Sequence, residues 1–146
     1  MNIEISNSSN MECDESALVD VAYFTLLKMG IHPESELSIT LVDETKITEL
    51  HIEWMDLPGP TDVLSFPMDE MLPNSAANGP GIVGDIVLCP SFALTQAKDH
   101  SLADELALLT VHGVLHLLGY DHAELSEEQA MFELQDTCLV EWKAQR

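Results

Sequence analysis

Three histidines within eleven residues constrain this chain more than any other feature: the segment reads His112-Gly113-Val114-Leu115-His116-Leu117-Leu118-Gly119-Tyr120-Asp121-His122. On a helix, residues four apart share one face, about 40° apart around the axis and ~6 Å apart along it. His112 and His116 therefore aim at a common point. Gly119 lets the backbone leave the helix in a left-handed turn, and Tyr120 and Asp121 bring His122 back toward that point. A fold for this chain has to end a helix here and reverse direction straight after it. Three neutral imidazoles suit Zn²⁺ at Zn–N distances of ~2.0–2.1 Å, and three protein ligands leave a fourth position open, as catalytic sites do. Water bound there drops toward a pKa of about 7. We therefore expect one zinc ion per chain, held by His112, His116 and His122. His32, His51 and His100 have no such partners and read as ordinary.

The surrounding pattern predicts how this helix is supported. A short alternating strand begins at residues 3–5. Asp14 caps a helix to about residue 29, with Leu18, Val21, Ala22 and Leu26 near helical spacing, and Gly30 and Pro33 end it. Residues 37–42 alternate as a strand. Asp43 caps a helix through Ile47, Leu50 and Trp54, which Pro58-Gly59-Pro60 breaks. Residues 61–66 read as a strand, 68–81 as an exposed loop and 82–88 as a mostly apolar strand. Pro90 opens a helix to about residue 100. Ser101, with Asp104 three residues on, resembles a capping box for the helix that passes Leu106, Leu109 and Leu115 and ends at Gly119. Ser126 and Gln129 repeat the pattern before a last helix toward Trp142. No repeat and no linker interrupts the order. The class expected is α/β (α+β): one compact domain over residues 1–146, with a central sheet of about four strands, about five helices and the zinc site at a helix end.

Composition limits what such a site acts on. With 146 residues, 46% of them hydrophobic, the chain has the means to build its own core. No apolar run reaches the ~20 residues of a membrane span, and the first residues carry neither a basic start nor an apolar stretch of the secretory kind. The expected location is the cytoplasm. Cys13, Cys89 and Cys138 are odd in number and far apart, so reduced thiols are expected rather than a disulfide framework. There are 26 Asp+Glu against 5 Lys+Arg, a formal net charge of −21. The basic residues Lys28, Lys46, Lys98, Lys143 and Arg146 form no cluster. Phosphate backbones are gripped chiefly by Lys and Arg, so this balance opposes tight binding of free nucleic acid.

The spacing H-x3-H-x2-G-x2-H also occurs in metzincin proteases. Those enzymes place a glutamate beside the first histidine as general base. Here that position is Gly113, so proteolysis by that route lacks its base.

The histidine segment, together with Pro60-Thr61-Asp62-Val63-Leu64-Ser65-Phe66-Pro67 and Gly84-Asp85-Ile86, resembles the YbeY family of bacterial endoribonucleases. The blocks agree in order and spacing over nearly the whole chain. The resemblance implies an α/β fold with a sheet of about four strands and a zinc held by three histidines in a cleft. It also implies cleavage of single-stranded RNA, maturation of the 3′ end of small-subunit ribosomal RNA and a role in ribosome quality control. The chain departs from the family at one place. Many members carry an arginine just after an aromatic residue upstream of the Pro-Thr-Asp block, whereas here Trp54 is followed by Met55. A guanidinium there would grip phosphate and stabilise charge at phosphorus.

The expected chemistry is metal-assisted phosphodiester hydrolysis, with Asp85 and Asp121 as the carboxylates put forward for catalysis and Asp62 behind them. Asp121 also suits orienting a zinc histidine. A route through the RNA 2′-OH stays open. The acidic surface points to a protein partner on the ribosomal small subunit, and to weak, salt-sensitive cleavage of naked RNA. Two rival readings are an assembly factor whose zinc is mainly structural and a zinc hydrolase of another substrate class.

Overall fold

A computed structural model describes residues Met1–Arg146. Four strands and five helices follow in the order β1 (Asn2–Asn7), α1 (Glu15–Lys28), β2 (Glu36–Leu41), α2 (Glu44–Met55), β3 (Val63–Pro67), β4 (Ile82–Leu88), α3 (Pro90–Gln96), α4 (Leu102–Leu117) and α5 (Leu125–Ala144). The strands form one sheet, ordered β1-β2-β4-β3. β1, β2 and β4 run parallel, and β3 pairs antiparallel with β4. β3 is therefore an edge strand that the chain reaches after α2 and leaves through a long loop, interrupted by a 3₁₀ turn at Ala76–Asn78.

The α/β class, the four strands and the five helices agree with the sequence reading. So do three caps. The carboxylates of Asp14 and Asp43 accept from the backbone N–H groups of Ala17 and Lys46, and the Ser101 hydroxyl accepts from that of Asp104. β3 starts at Val63 rather than residue 61, the loop after it buries Met71 in the core rather than lying wholly exposed, and two helix boundaries differ. α3 stops at Gln96 rather than near His100. Lys98, Asp99 and His100 are exposed and offer nothing to bury, and His100 Nε2 instead sits 2.5 Å from Glu105 Oε1 on the next helix. α5 starts at Leu125 after Glu124, with no side-chain cap. Ser126 lies inside the helix, where the carboxylates of Glu127 and Glu128 suit the positive end of the helix dipole.

α1 and α4 pack on one face of the sheet, and α5 packs on both helices. The main core joins Leu18, Val21 and Leu26 of α1, Ile39 and Leu41 of β2, Ile86 and Leu88 of β4, Val114 and Leu115 of α4, and Met131 and Trp142 of α5. A smaller cluster, Val42, Ile47, Leu64, Val87 and Cys89, lies under α2 on the opposite face. α4 is the central helix, and most of its length from Glu105 to Leu117 is buried. Gly113 lets it settle on the sheet, because a Cβ there would stand 3.1 Å from Ile86 Cδ1 and 3.2 Å from Ser65 Oγ. No helix is long and apolar enough to cross a membrane. The three cysteines are free.

Candidate metal centre

α4 ends in a Schellman motif. Gly119, at φ +99°, donates its N–H to the His116 carbonyl, and Tyr120 donates to the Leu115 carbonyl. This satisfies two carbonyls at the helix end and turns the chain back on itself. The reversal brings His122 to the two helical histidines. Ring centroids lie 4.7 Å apart for His112 and His116, 5.0 Å for His116 and His122, and 5.5 Å for His112 and His122. One ligand atom from each ring falls within 4.8 Å of the other two.

The donor set fits a divalent metal. Burial is the main cause holding His112 and His116 below the ordinary imidazole range; at His112 the Gln135 hydrogen bond opposes it and His122 adds to it, and at His116 both His112 and His122 add to it. Both imidazoles are thereby kept neutral, the form that binds metal. Gln135 Oε1 lies 2.9 Å from His112 Nδ1. It accepts the Nδ1–H and leaves Nε2 as the lone-pair nitrogen, as a partner behind a metal ligand should. Phe132, one turn earlier on α5, stacks 6.4 Å from the His122 ring. Neither α5 residue was singled out by the sequence reading. Gln135 did carry a signal, as the polar member of the otherwise apolar buried set Met131, Cys138 and Trp142.

The histidines open onto a cleft of about 390 Å³, lined also by Met55, Thr61, Asp62, Ser65 and Pro67. Asp62 is thus in the site. Burial pushes its carboxyl above the usual carboxylate range and the charge of Glu105 adds to this, while hydrogen bonds from its own and Val63's backbone N–H groups and the charge of His112 oppose it. Asp121 is exposed next to His122, and its Oδ1 accepts from the His122 backbone N–H at 2.7 Å. The structure does not bring Asp85 to the histidines. Its neighbour Ile86 faces Gly113 on the α4 side, so alternation along β4 turns Asp85 to the other face of the sheet. There it lines a separate cavity with Trp54 and Phe66. Met55, which stands where many family members carry arginine, reaches the cleft wall without bringing a charge.

The other three histidines have ordinary roles. His32 Nδ1 accepts from the Glu34 N–H, His51 Nδ1 lies 3.0 Å from the Gly59 carbonyl, and His100 meets Glu105.

Comparison with known proteins agrees with this architecture. A protein of Rhodococcus erythropolis named "Endoribonuclease YbeY" is 60% identical, with the match covering 97% of this chain and 82% of the relative. A Mycolicibacterium gilvum protein of the same name is 57% identical over 100% of this chain and 85% of its own length. A solution structure of a Thermotoga maritima protein superposes with a TM-score of 0.63 at 29% identity, covering 98% of this chain and 90% of that one. The family described as "Endoribonuclease YbeY" matches residues 2–143, and the chain belongs to that family.

Proposed function

We propose that this chain is a zinc-dependent endoribonuclease that cuts single-stranded RNA in the cytoplasm, with residues 1–146 acting as one catalytic unit. Its substrate is the 3′ region of the small-subunit ribosomal RNA precursor, and the same activity serves ribosome quality control. The observation that carries the reading is the convergence of His112, His116 and His122 at an open cleft that also holds Asp62. His112, His116 and His122 would hold a zinc ion, which would supply Lewis-acid chemistry: activation of water and stabilisation of charge at phosphorus.

The chain's own residues handle the protons. Asp121, exposed beside His122, receives the proton of the attacking water as its oxygen bonds to phosphorus. Asp62, whose partly buried carboxyl is pushed above the usual carboxylate range, donates to the leaving ribose oxygen as the P–O bond breaks. The two carboxyls sit in different environments, one exposed and one partly buried, which suits opposite roles. With Met55 in the cleft wall, no guanidinium grips the phosphate. Affinity for the ribosomal substrate then comes from a protein partner on the small subunit. Naked RNA is cut weakly, and moderate salt speeds the reaction by screening the repulsion from a chain of net charge −21.

The test uses small-subunit precursor RNA labelled at its 3′ end, with wild type, His116→Ala and Asp121→Asn. Wild type should cut single-stranded regions. His116→Ala should be inactive, and Asp121→Asn should be slowed by about 10²-fold or more. Products ending in 2′,3′-cyclic phosphate would replace hydrolysis with attack by the 2′-OH. Equal cutting by wild type and His116→Ala would refute the proposal.

A further inference from the structure

Phe132 takes no part in the hydrolysis described above, and the core does not take it either. Met131, Gln135, Cys138 and Trp142 are the buried side of α5, whereas Phe132 is 40% exposed. Leu125, seven residues earlier and so on the same helix face, is exposed as well.

The phenyl ring lies against the metal centre. Its centroid is 6.3 Å from that of His112 and 6.4 Å from that of His122, and it is tilted by 38° and 30° to the two imidazoles. The three histidines line the cleft and Phe132 does not, so the phenyl ring stands beyond the imidazoles as seen from the cleft. A strand of RNA with a phosphate at the metal and its next nucleotide running out over His122 passes this ring. Its backbone meets no free cation there. Glu128 and Asp136, one turn either side of Phe132, bring carboxylates to that face of α5. Lys143, the basic residue of the helix, is paired with Asp104. Such a surface repels a phosphate. A base carries no charge, and its π face stacks on an aromatic ring whatever its identity.

We infer that Phe132 is a stacking platform for one nucleobase beside the cut, so that this chain holds its RNA next to the metal by a base rather than by a phosphate. Within 30° of parallel to His122, the phenyl ring extends the imidazole stack and turns its exposed side to the base. A base paired in a duplex is not free to reach it, so the platform favours single strands. Because every base has a π face, it discriminates little between them. The inference rests on the RNA-cleaving reading for its substrate, but one of its measurements stands apart from cleavage.

The experiment uses the zinc-loaded protein and single-stranded oligonucleotides spanning the cut, either intact or with one abasic nucleotide at successive positions. Wild type should lose about ten-fold in kcat/KM when one particular base beside the cut is missing. Phe132→Ala should lose about ten-fold on the intact RNA and nothing further when that same base is missing, and Phe132→Trp should restore the wild-type value. Bound zinc and thermal melting are measured for every variant. If Phe132→Ala sheds its zinc, or is slowed by the same factor on intact and abasic RNA, the ring only buttresses the histidines and the inference is overturned. Cutting of intact RNA by Phe132→Ala at the wild-type rate overturns it too. If wild type cuts no RNA, the nuclease reading fails and fluorescence decides the platform by itself. An oligonucleotide carrying 2-aminopurine should be quenched by stacking on wild type and not on Phe132→Ala. Equal signals with the two proteins overturn the inference.

Discussion

Burial acts at the histidines through proton binding. His112 and His116 are held below the ordinary imidazole value of 6.5, chiefly by desolvation. Below that pH the unfolded chain takes up more protons at these positions than the folded one. Their contribution to the stability of the metal-free protein is therefore intact above pH 6.5 and declines as pH falls below it. NMR titration of the metal-free protein should show both imidazoles charging below 6.5, and values at or above it would contradict this account. Gln135 should matter through His112 rather than through packing. Gln135→Met keeps the volume but drops the acceptor 2.9 Å from Nδ1, and should weaken metal affinity by about 10–100-fold while the fold survives. Calorimetric metal titration checks it, and unchanged affinity would leave Gln135 a core residue only. The ligand triad was legible in the sequence because two ligands share a helix face and the third follows a glycine turn. Gln135 was much less legible, since its partner lies on another helix and only its polarity in a buried stripe betrays it.

At the scale of elements, the site depends on how closely β3 and α4 approach β4. Gly84, at φ +147°, has no room for a side chain, because a Cβ would fall 2.3 Å from the Phe66 carbonyl oxygen and 3.0 Å from Leu117. Gly84→Ala combines backbone strain with a clash against the edge strand that carries Ser65 and Phe66. It should cost about 3 kcal/mol, or some 10 °C in Tm, and a melting point within about 2 °C of wild type would contradict the packing described. The strands and helices were readable from caps and periodicity, and helix ends less so. α3 stops early because none of Lys98, Asp99, His100 and Ser101 is buried, a fact of tertiary packing. The placement of Asp85 was hidden for a similar reason. Sequence shows an acid near a glycine on a strand, but only the register of β4 against α4 decides which face it takes.

For the whole molecule, the three histidines stand outside both apolar clusters. We expect the core formed by α1, α4, α5 and the sheet to close without an ion, as a catalytic metal allows and an assembly factor that folds around zinc does not. Net charge was plain in the sequence, and it still bounds how RNA is held. The most direct test of the central claim is to strip the metal with a chelator, follow folding by circular dichroism, and assay cleavage of single-stranded RNA as zinc is returned. We expect a folded, inactive protein whose activity returns in full at about one zinc per chain. Cleavage that persists without metal, or a fold that collapses when the metal leaves, would contradict a three-histidine nuclease centre.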